Sequence, residues 1–397
     1  MSRLMGSNGI GRGSGFLRRL GSMSLWVPML IFAACSGGGS SGGGGTNSNQ
    51  PSGGTGTSQL GFEANWNSGN TSSFGLNSDG SLTALMPPAV AGQHPHTINV
   101  DPQGRFVYVA NHESNFLSGY TVNRSTGALT PVAAPSLVTG DSPHASVFDK
   151  TGKFLYVVNG VASAQITAHS VNADGTLTPI GTPIPTGAHS HNLGIDPSGR
   201  FIYVCSEDSV QIFAFTVDQS TGALTPIPGS PYPGVSGPLD VAVDQATKFA
   251  YVSNSGGEIQ AFSIDPSSGG LTPLSPTAVF PSGGQFSHTI VFDHTGNFLY
   301  TGNVNSNNVS AFQVDHTTGA LTAVQGSPFG TGLSDPEGVT LHPTAQILYI
   351  SDFANNRIVS FAINSTTGQL TQGGVFSDPA VTSGTVSGPI SLGFTNF

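Results

Sequence analysis

The pentapeptide TGALT at residues 126–130 decides the fold of this chain, because near copies of it recur at a constant interval. The copies are DGSLT at 79–83, DGTLT at 174–178, TGALT at 221–225, SGGLT at 268–272, TGALT at 318–322 and TGQLT at 367–371. Successive leucines of these copies are 47 to 50 residues apart. A period of this length indicates one supersecondary unit that is copied around or along an axis.

The residues between two copies predict four short β-strands per unit. In the fourth unit, residues 189–227, the runs HSHNLGI, FIYVCSE, VQIFAFTV and ALTPI are separated mainly by Gly, Pro, Asp and Ser. The runs are rich in Val, Ile, Phe and Tyr and lack helical spacing, and many are apolar on both faces, which suits small sheets packed between neighbours. The sequence therefore predicts an all-β, seven-bladed β-propeller with four-stranded antiparallel blades.

The two ends of the chain predict how the ring closes. The first unit begins in mid-pattern at Phe62 and lacks an innermost strand. At the other end, SGPISLGFTNF at residues 387–397 aligns with SGPLDVAVDQA at residues 236–246 of the fifth unit. We therefore expect the C-terminal strand to join the N-terminal blade, which closes the ring and removes exposed sheet edges.

Two polar columns recur in the units and are interpreted as architectural. A short polar side chain at the end of a strand can hold the following turn through backbone hydrogen bonds. A catalytic reading would require a separate substrate for each copy. The columns are Asp101, Asp149, Asp196, Asp244 and Asp293 at the end of the first strand, and Asn65, Asn111, Asn159, Asn254 and Asn303 at the end of the second.

The N-terminal residues predict export and lipid anchoring. Arg18 and Arg19 precede an apolar run over residues 25–34 that is too short to span a bilayer, which indicates a secretory signal. The run ends in FAAC, which resembles the lipobox of bacterial lipoproteins and makes Cys35 the expected lipidation site. We expect a protein of the cell envelope, periplasmic or on the outer surface, that meets the membrane only through its lipid.

Three segments follow from this interpretation. Residues 1–35 are the predicted lipoprotein signal peptide, and residues 36–58 are a flexible tether rich in Gly and Ser. Residues 59–397 form the predicted propeller, whose core is divided among the interfaces between blades. Cys205 then has no cysteine partner and is interpreted as a small buried apolar residue.

Composition limits the class of partner. Charged residues make up 8% of the chain and the formal net charge is −10. Nucleic-acid binding relies on Lys and Arg that face phosphates, so nucleic acid is not an expected partner. We expect a monomer that binds a small molecule.

One column of the innermost strands carries the candidate functional residues. Aligning these strands on their terminal Asp puts four histidines and a glutamate at one position, five residues earlier. Innermost strands line the central channel, and their first residues lie at one end of it, which we call the channel mouth. The column, in blade order, is Ile390, His96, His144, His191, Leu239, His288 and Glu337.

Other polar residues are expected on the same face. His94 and His189 lie two residues before column histidines, where they could form a second tier. His112, Glu207 and Arg357 lie in loops between second and third strands, which emerge at the channel mouth. A group of ionisable side chains at one mouth indicates a ligand-binding or catalytic site rather than a purely structural feature.

The repeats resemble those of the lactonase-type seven-bladed propellers, a family that includes bacterial 6-phosphogluconolactonases and fungal 3-carboxymuconate cyclases. The resemblance rests on YVAN at 108–111, TGALTPV at 126–132 and DPSGRF at 196–201. It implies a site made by a histidine at the start of an inner strand, matched here by His191, and a glutamate after a second strand, matched by Glu207. The family's arginine before that histidine is Ser190 here, which argues against 6-phosphogluconolactone as substrate.

The resemblance and the histidine column support three hypotheses. The first is a lactonase-like enzyme that hydrolyses or isomerises a small lactone, in which His191 or His144 acts as general base and Glu207 or Glu337 assists. In this hypothesis the substrate is bound by His96, His288, His112 and Arg357. The sequence leaves open whether the protein is an enzyme, and it establishes no cofactor, although it allows a divalent metal.

The second hypothesis is a divalent metal held by His96, His144, His191 and His288, although the width of the ring argues against one shared ion. The third is a non-enzymatic binding or scaffold propeller displayed at the cell surface. The three are separated by the distances among the side chains at the channel mouth, because only converging groups can share a ligand.

Overall fold

Seven antiparallel sheets follow one another along the chain and form the blades of a propeller. The computed structural model describes residues 59–132, 140–160, 164–234, 236–274, 279–330, 332–377 and 388–395. The predicted signal peptide, Cys35 and the tether lie outside the described residues. Across these ranges, no helix has the length and apolar character needed to cross a membrane.

Each blade is built from the channel outward. Blade 1 contains β31 (Pro389–Phe394), β1 (Leu60–Asn65), β2 (Asn70–Leu76) and β3 (Leu82–Val90). Blade 2 contains β4 (Pro95–Val100), β5 (Phe106–Asn111), β6 (Phe116–Val122) and β7 (Leu129–Pro131). Blade 3 contains β8 (Pro143–Phe148), β9 (Phe154–Asn159), β10 (Gln165–Val171) and β11 (Leu177–Pro185).

In blades 4 to 6 the outermost position is divided between two short strands that both pair with the third strand. Blade 4 contains β12 (Ser190–Ile195), β13 (Phe201–Ser206), β14 (Gln211–Val217), β15 (Leu224–Pro226) and β16 (Tyr232–Pro233). Blade 5 contains β17 (Pro238–Val243), β18 (Phe249–Asn254), β19 (Glu258–Ile264), β20 (Leu271–Pro273) and β21 (Val279–Pro281). Blade 6 contains β22 (Ser287–Phe292), β23 (Phe298–Asn303), β24 (Asn308–Val314), β25 (Leu321–Ala323) and β26 (Phe329–Gly330).

Blade 7 contains β27 (Pro336–Leu341), β28 (Ile347–Asp352), β29 (Arg357–Ile363) and β30 (Leu370–Ser377). Short 3-10 helices, Val304–Ser306 and Phe353–Asn355, connect the second and third strands of blades 6 and 7. The prediction of a seven-bladed propeller with four strand positions per blade is confirmed.

The ring closes as the chain ends predict. Strand β31 pairs antiparallel with β1, with Phe62 opposite Gly393 and Glu63 opposite Leu392. The two ends of the chain thus share one blade, and β1 has neighbours on both sides. Its backbone groups are therefore paired rather than exposed at a sheet edge.

The glycine of the repeated pentapeptide joins adjacent blades. In blade 5, Gly269 has a φ of +75°, and its carbonyl accepts a 2.9 Å hydrogen bond from the Tyr203 hydroxyl of blade 4. A Cβ atom at Gly269 would lie 2.4 Å from the Phe201 ring. Glycine is therefore required by both backbone conformation and space. The same tyrosine-to-glycine bond recurs in Tyr108–Gly175, Tyr251–Gly319, Tyr300–Gly368 and Tyr349–Gly80.

The Asp and Asn columns hold turns, as interpreted from the sequence. Asp149 accepts hydrogen bonds from the backbone N–H groups of Lys153 and Phe154, at 2.8 and 2.7 Å. Asn303 donates to Asn308 and to Ser310 across the following strand pair. In both cases the side chain satisfies groups of its own blade, so the columns stabilise the fold.

The core lies between blades rather than in one central cluster. One cluster includes Phe201 and Tyr203 of blade 4 with Val252 and Phe262 of blade 5, and comparable clusters lie between other neighbouring blades. Cys205 is fully buried in this cluster. Burial raises the pKa of its thiol well above the ordinary value, which makes it unreactive and agrees with its interpretation as a small apolar residue.

Candidate functional site

The candidate site begins with the second residue of each innermost strand. His96, His144, His191 and His288 occupy this position in β4, β8, β12 and β22. Side chains alternate between the faces of a strand, so an equivalent position points the same way in every blade. The structure brings these four imidazoles together although they are spread over nearly 200 residues of sequence.

The imidazoles are in direct contact. Ring centroids are 3.8 Å apart for His96 and His144, and 4.4 Å apart for His144 and His191. His191 and His288 lie on the non-adjacent blades 4 and 6, yet their ring centroids are only 4.8 Å apart. Side chains of non-adjacent blades therefore meet, because they extend across the channel.

Hydrogen bonds between blades orient three of these rings. The Nδ1 atom of His96 lies 3.1 Å from the His144 carbonyl, and that of His288 lies 3.0 Å from the Glu337 carbonyl. His191 bonds to the Leu239 carbonyl in the same manner. A carbonyl only accepts, so each of these rings donates a proton to it. For His96 and His288 that proton is on Nδ1, which leaves Nε2 as an acceptor.

His144 differs from these three rings. Its Nδ1 atom is buried and has no hydrogen-bond partner among the described residues. Buried polar atoms in native proteins are nearly always paired with protein, water or ligand. His144 can therefore carry its proton on either nitrogen and can donate or accept toward a bound molecule.

A second tier of residues lies two positions before each column residue. His94, His189, Phe286 and Asp335 occupy this tier with φ values between +51° and +63°, and the equivalent Ser142, Gly237 and Gly388 also have positive φ. Left-handed backbone is uncommon for residues other than glycine and often marks functional positions. Here the turn directs the side chain into the mouth, where the His189 ring lies 5.8 Å from those of both His144 and His191.

Carboxylates orient the two histidines of this tier. The Nδ1 atom of His189 lies 3.2 Å from an oxygen of Glu207, which follows β13. The Nδ1 atom of His94 lies 2.9 Å from an oxygen of Glu113. Glu207 thus contacts His189 and not His191, the histidine that the resemblance paired with it. In both pairs the carboxylate contacts Nδ1, so Nε2, on the other side of the ring, points away from the carboxylate.

Two further carboxyl groups lie beside His288. An oxygen of Glu337 is 3.4 Å from His288 Nδ1, and burial raises the pKa of Glu337. Asp240, the residue after Leu239 in β17, accepts hydrogen bonds from the backbone N–H groups of Val241 and Ile290. Burial raises the pKa of Asp240 to about 6. The site therefore combines imidazoles with carboxyl groups of reduced acidity.

Burial separates the histidines into two classes. Loss of solvent lowers the pKa of His96, His144 and His191 well below the ordinary value, and nearby imidazoles lower it further. Burial also lowers the pKa of His112. The hydrogen bond that His189 donates to Glu207 raises the pKa of His189 against the effect of burial. His96, His144 and His191 are thus neutral near pH 7, while His189 holds a proton more readily than they do.

The other predicted residues differ in position. His112 joins the cluster, with its ring 5.5 Å from that of His144. Arg357 instead pairs with Asp352, at 2.6 Å, and donates to the Gly332 carbonyl at 2.8 Å. Its guanidinium is occupied by Asp352 of blade 7 and by the segment that precedes this blade, so the prediction that it binds substrate is not supported by these contacts.

A small cavity continues the mouth into the channel. It has a volume of about 70 Å³ and is lined by His96, His191 and His288 together with the hydroxyl-bearing Thr97 and Thr289. Val339 and Ile390 add apolar walls, so a cavity of this size suits water or one small group that bonds to the imidazoles and hydroxyls. Among the described residues no three His, Cys, Asp or Glu side chains are arranged to hold a metal ion.

Comparison with known proteins identifies the family. The family model "Lactonase, 7-bladed beta-propeller" matches residues 47–185, 135–235 and 183–382, which together cover most of the chain. The chain belongs to this family. The 6-phosphogluconolactonase of Bacillus subtilis (strain 168) is 26% identical to this lactonase-family propeller over 257 residues, covering 61% of this chain and 72% of that protein. The 6-phosphogluconolactonase of Yersinia pestis (strain Pestoides F) is 22% identical over 272 residues, covering 66% and 78%.

Solved structures of low sequence identity share the fold. The periplasmic gluconolactonase of Pseudomonas aeruginosa superposes on this lactonase-family propeller with a TM-score of 0.72 and 19% identity, covering 85% of this chain and 99% of that chain. A protein from Lactobacillus plantarum gives a TM-score of 0.69 at 18% identity, with 85% and 99% coverage. At these identities the likeness shows the fold alone.

Sequence reasoning missed Trp66, which contacts three histidines of the site. Its ring is stacked on His94 with centroids 4.5 Å apart, and it lies 5.6 Å from His96 and 5.7 Å from His112. Trp66 directly follows the Asn that ends the second strand of its blade, as His112 does in blade 2. Aligning this column, as was done for the innermost strands, would have identified it.

Proposed function

We propose that this propeller is a lactonase that hydrolyses a small uncharged lactone at the channel mouth. Family membership supports lactonase-like activity in general. The observation that carries the specific proposal is the contact between an ionisable pair, His189 and Glu207, and the neutral imidazoles of the column. Such a site offers a proton acceptor beside groups that can orient a polar substrate.

In the proposed reaction, His189 is the general base. Glu207 accepts a hydrogen bond from the Nδ1–H group of His189, which leaves Nε2 unprotonated. Nε2 removes a proton from a water molecule as the water oxygen attacks the lactone carbonyl carbon. The tetrahedral intermediate then collapses with cleavage of the bond between that carbon and the ring oxygen. His189 returns its proton to the ring oxygen, and the product is a hydroxy acid. General base catalysis of this kind contributes about 10² to 10⁴-fold.

This assignment changes the roles expected from the sequence. His191 and His144 were expected as general bases, but burial makes them weak proton acceptors. We propose that His144, whose Nδ1 has no partner in the described structure, donates a hydrogen bond to the developing oxyanion. His96, His191 and His288 then position the substrate by accepting from its hydroxyl groups, and Glu337 supports His288.

The contacts favour a substrate without phosphate. A phosphorylated lactone needs a cation, best supplied by the bidentate guanidinium of Arg. The side chains that contact one another at the mouth are imidazoles, aromatic rings and carboxyl groups. Arg357 would have to give up its pair with the buried Asp352 to serve an anion. Breaking a pair with a buried carboxylate is costly.

The proposal is tested with a panel of phosphorylated and unphosphorylated lactones, with base uptake at constant pH as the measure of hydrolysis. We expect the wild type to hydrolyse unphosphorylated members, and His189→Gln to lose at least about 100-fold in kcat/KM. His316→Gln is the matched control, because His316 is exposed and bonds to Asn297 on an outer turn. Equal rates in wild type and His189→Gln, or no hydrolysis of any member, would overturn the proposal.

We also propose that the protein is exported and anchored by lipid at Cys35. The support is the sequence of residues 1–58. Expression of the full chain in a bacterium with radiolabelled palmitate is expected to label the wild type and leave Cys35→Ser unlabelled. A wild type that remains unlabelled, or that fractionates with the cytoplasm, would contradict the proposal.

A further inference from the structure

A larger cleft lies beside the histidine cluster, between blades 1 and 2. Its volume is about 410 Å³, which is within the usual range of about 300–1,000 Å³ for small-molecule sites. Trp66, Asn67, Ser68, Gln93, His94 and Ser114 are among the side chains that line it. The proposed hydrolysis uses none of these residues, so the cleft has no assigned role.

The walls of the cleft are held by hydrogen bonds and close backbone approaches. The Ala91 N–H donates to the Gly69 carbonyl at 3.0 Å, which joins the two segments that form the floor. The Gln93 N–H donates to the Ser114 hydroxyl at 2.6 Å. A Cβ atom at Gly92 would lie 2.7 Å from Asn111, so this contact requires glycine. The cleft is therefore organised before any ligand binds, which lowers the entropy cost of binding.

Trp66 is the largest aromatic side chain that lines the cleft, and His94, which also lines it, packs against one face of the indole. His94 stacks on the indole with an interplanar angle of 15° and is itself paired with Glu113. A tryptophan held in this manner presents a rigid aromatic surface with little loss of side-chain freedom. Trp66 also contacts His96 and His112, so it connects the cleft to the histidines at the channel mouth.

The chemistry of the lining selects the class of ligand. Apart from Trp66 the described lining consists of amides, hydroxyls, backbone groups and the His94 imidazole, without Lys, Arg, Asp or Glu. An anionic ligand would find no cation there, and a purely apolar ligand would leave the amides and hydroxyls unpaired. A pyranose ring satisfies both requirements, because its C–H face packs on an aromatic ring while its hydroxyls bond to amides and hydroxyls.

We propose that this cleft is a binding subsite for a neutral saccharide ring. Because it adjoins the imidazoles, it would hold the glycosyl part of a disaccharide lactone while the lactone ring lies at the channel mouth. This extension to the substrate rests on the proposed function, but binding of the saccharide itself does not. The preferred substrate class is then an aldonolactone that carries a second, uncharged sugar.

Binding is tested first, without reference to hydrolysis. In the full chain carrying Trp26→Phe, Trp66 is the sole tryptophan, so its fluorescence reports on the cleft. We expect cellobiose, maltose or another neutral disaccharide to produce a saturable change in emission, with binding heat in calorimetry. Trp66→Leu keeps an apolar side chain without the aromatic face, and calorimetry should show about tenfold weaker binding.

A second variant guards against a folding defect in Trp66→Leu. Gln93→Ala alters another wall of the cleft and leaves Trp66 in place, and it should also weaken disaccharide binding. Gln369→Ala, on an outer turn, is the control and should bind as the wild type does. All variants are accepted only with a wild-type thermal transition. If no neutral saccharide binds the wild type, or if both cleft variants bind as tightly as the wild type, the subsite does not exist.

Hydrolysis of paired substrates then separates this inference from the proposed function. Trp66→Leu should lower kcat/KM for a disaccharide lactone about tenfold relative to the monosaccharide lactone. His189→Gln should lose hydrolysis of both lactones and keep saccharide binding. Saccharide binding without any hydrolysis would overturn the proposed function and leave the subsite standing. Hydrolysis without saccharide binding, or with equal discrimination in wild type and Trp66→Leu, would overturn the subsite.

Discussion

At the scale of single residues, burial and one carboxylate divide chemically identical side chains into different roles. His144 and His191 are buried among other imidazoles and stay neutral, whereas His189 lies against Glu207 and gains basicity. In the proposed function, His144 and His191 in the innermost strands supply hydrogen-bonding groups, and His189 in the turn before β12 supplies the proton acceptor. A difference of one pKa unit corresponds to about 1.4 kcal/mol, so modest contacts are sufficient for this division.

The pairing of Glu207 with His189 predicts the effect of Glu207→Gln. Removing the carboxylate removes the largest interaction that favours the imidazolium and leaves only Asp208, at 3.8 Å from Nδ1, so the pKa of His189 should fall. The acidic limb of the kcat/KM profile should move to lower pH, because His189 would lose its proton earlier. NMR titration of the His189 ring measures the shift directly. Glu113→Gln is the control, since it contacts His94 and should leave His189 unchanged; a His189 pKa that stays constant in Glu207→Gln would refute the pairing.

At the scale of elements, the repeated pentapeptide is explained by the contact between blades. The glycine carbonyl receives the tyrosine hydroxyl of the preceding blade, and the missing Cβ admits a phenylalanine ring. The leucine and threonine that follow begin the outermost strand, as in β20. The pentapeptide therefore recurs once per blade because each copy forms the contact with the preceding blade. The loops between copies do not form this contact, so they are less regular.

This explanation predicts that Gly269→Ala is strongly destabilising. We expect a loss of about 3 kcal/mol, which combines about 1–2 kcal/mol for the left-handed backbone with about 1–3 kcal/mol for crowding against Phe201. Gly181 also has a positive φ, at +66°, but has open space around it, so Gly181→Ala should show the backbone cost alone. Gly330→Ala, with neither feature, should be nearly neutral. Urea unfolding of the three variants measures the differences; equal losses at Gly269 and Gly181 would exclude the steric contribution.

The tyrosine hydroxyls provide an independent test of the same interface. Tyr203→Phe removes the donor to the Gly269 carbonyl and should cost about 1 kcal/mol. Tyr156 is equally buried, but its hydroxyl has no hydrogen-bond partner among the described residues. Tyr156→Phe should therefore be neutral or slightly stabilising, because it removes an unpaired polar group. The comparison needs only equilibrium unfolding, and a larger loss for Tyr156→Phe than for Tyr203→Phe would contradict this account.

At the scale of the whole molecule, the ring concentrates protonatable groups at one end of its axis. The folded state holds His96, His144 and His191 with lowered pKa values, whereas the unfolded chain restores them to about 6.5. Below about pH 6.5 the unfolded chain therefore binds more protons than the folded chain does. Linkage then requires stability to fall with decreasing pH in this range and to be fully present above it.

We accordingly predict acid destabilisation that begins near pH 6.5. Each of the three imidazoles contributes up to about 1.4 kcal/mol per pH unit. Asp240, Glu337 and His189 act in the opposite direction, because their raised pKa values let the folded state take up protons. They are outnumbered, because the pKa is also lowered for His112, His169 and His342. The free energy of unfolding by urea, measured from pH 7.5 to 5 at constant ionic strength, tests this.

Two variants connect this pH dependence to the mouth. His144→Asn should reduce the slope of stability against pH, because one buried imidazole no longer titrates. Gln369→Ala, on an outer turn, should leave it unchanged, because it removes no titratable group. His189 contributes with the opposite sign: its raised pKa adds stability below about pH 6.5 that is lost as the pH rises through the folded value. A flat profile between pH 7 and 5 in the wild type would refute the argument.

The sequence by itself determined the blade count, the closing strand and the column of histidines, because each depends on a period or an alternation along the chain. Because side chains alternate along a strand, the side chain at an equivalent position points the same way in every blade. Alignment of the repeats was therefore sufficient to predict that the column histidines converge. The turn-holding roles of the Asp and Asn columns followed from the same regularity.

Only the tertiary structure decided which side chains meet inside that ring. It paired Glu207 with His189 rather than His191, tied Arg357 to Asp352, and brought His191 against His288 across the channel. It also formed the cleft at Trp66 from segments of two blades. These contacts depend on left-handed turns, on side-chain direction and on the width of the channel. The packing of the blades sets all three, and none of them appears as a repeated sequence pattern.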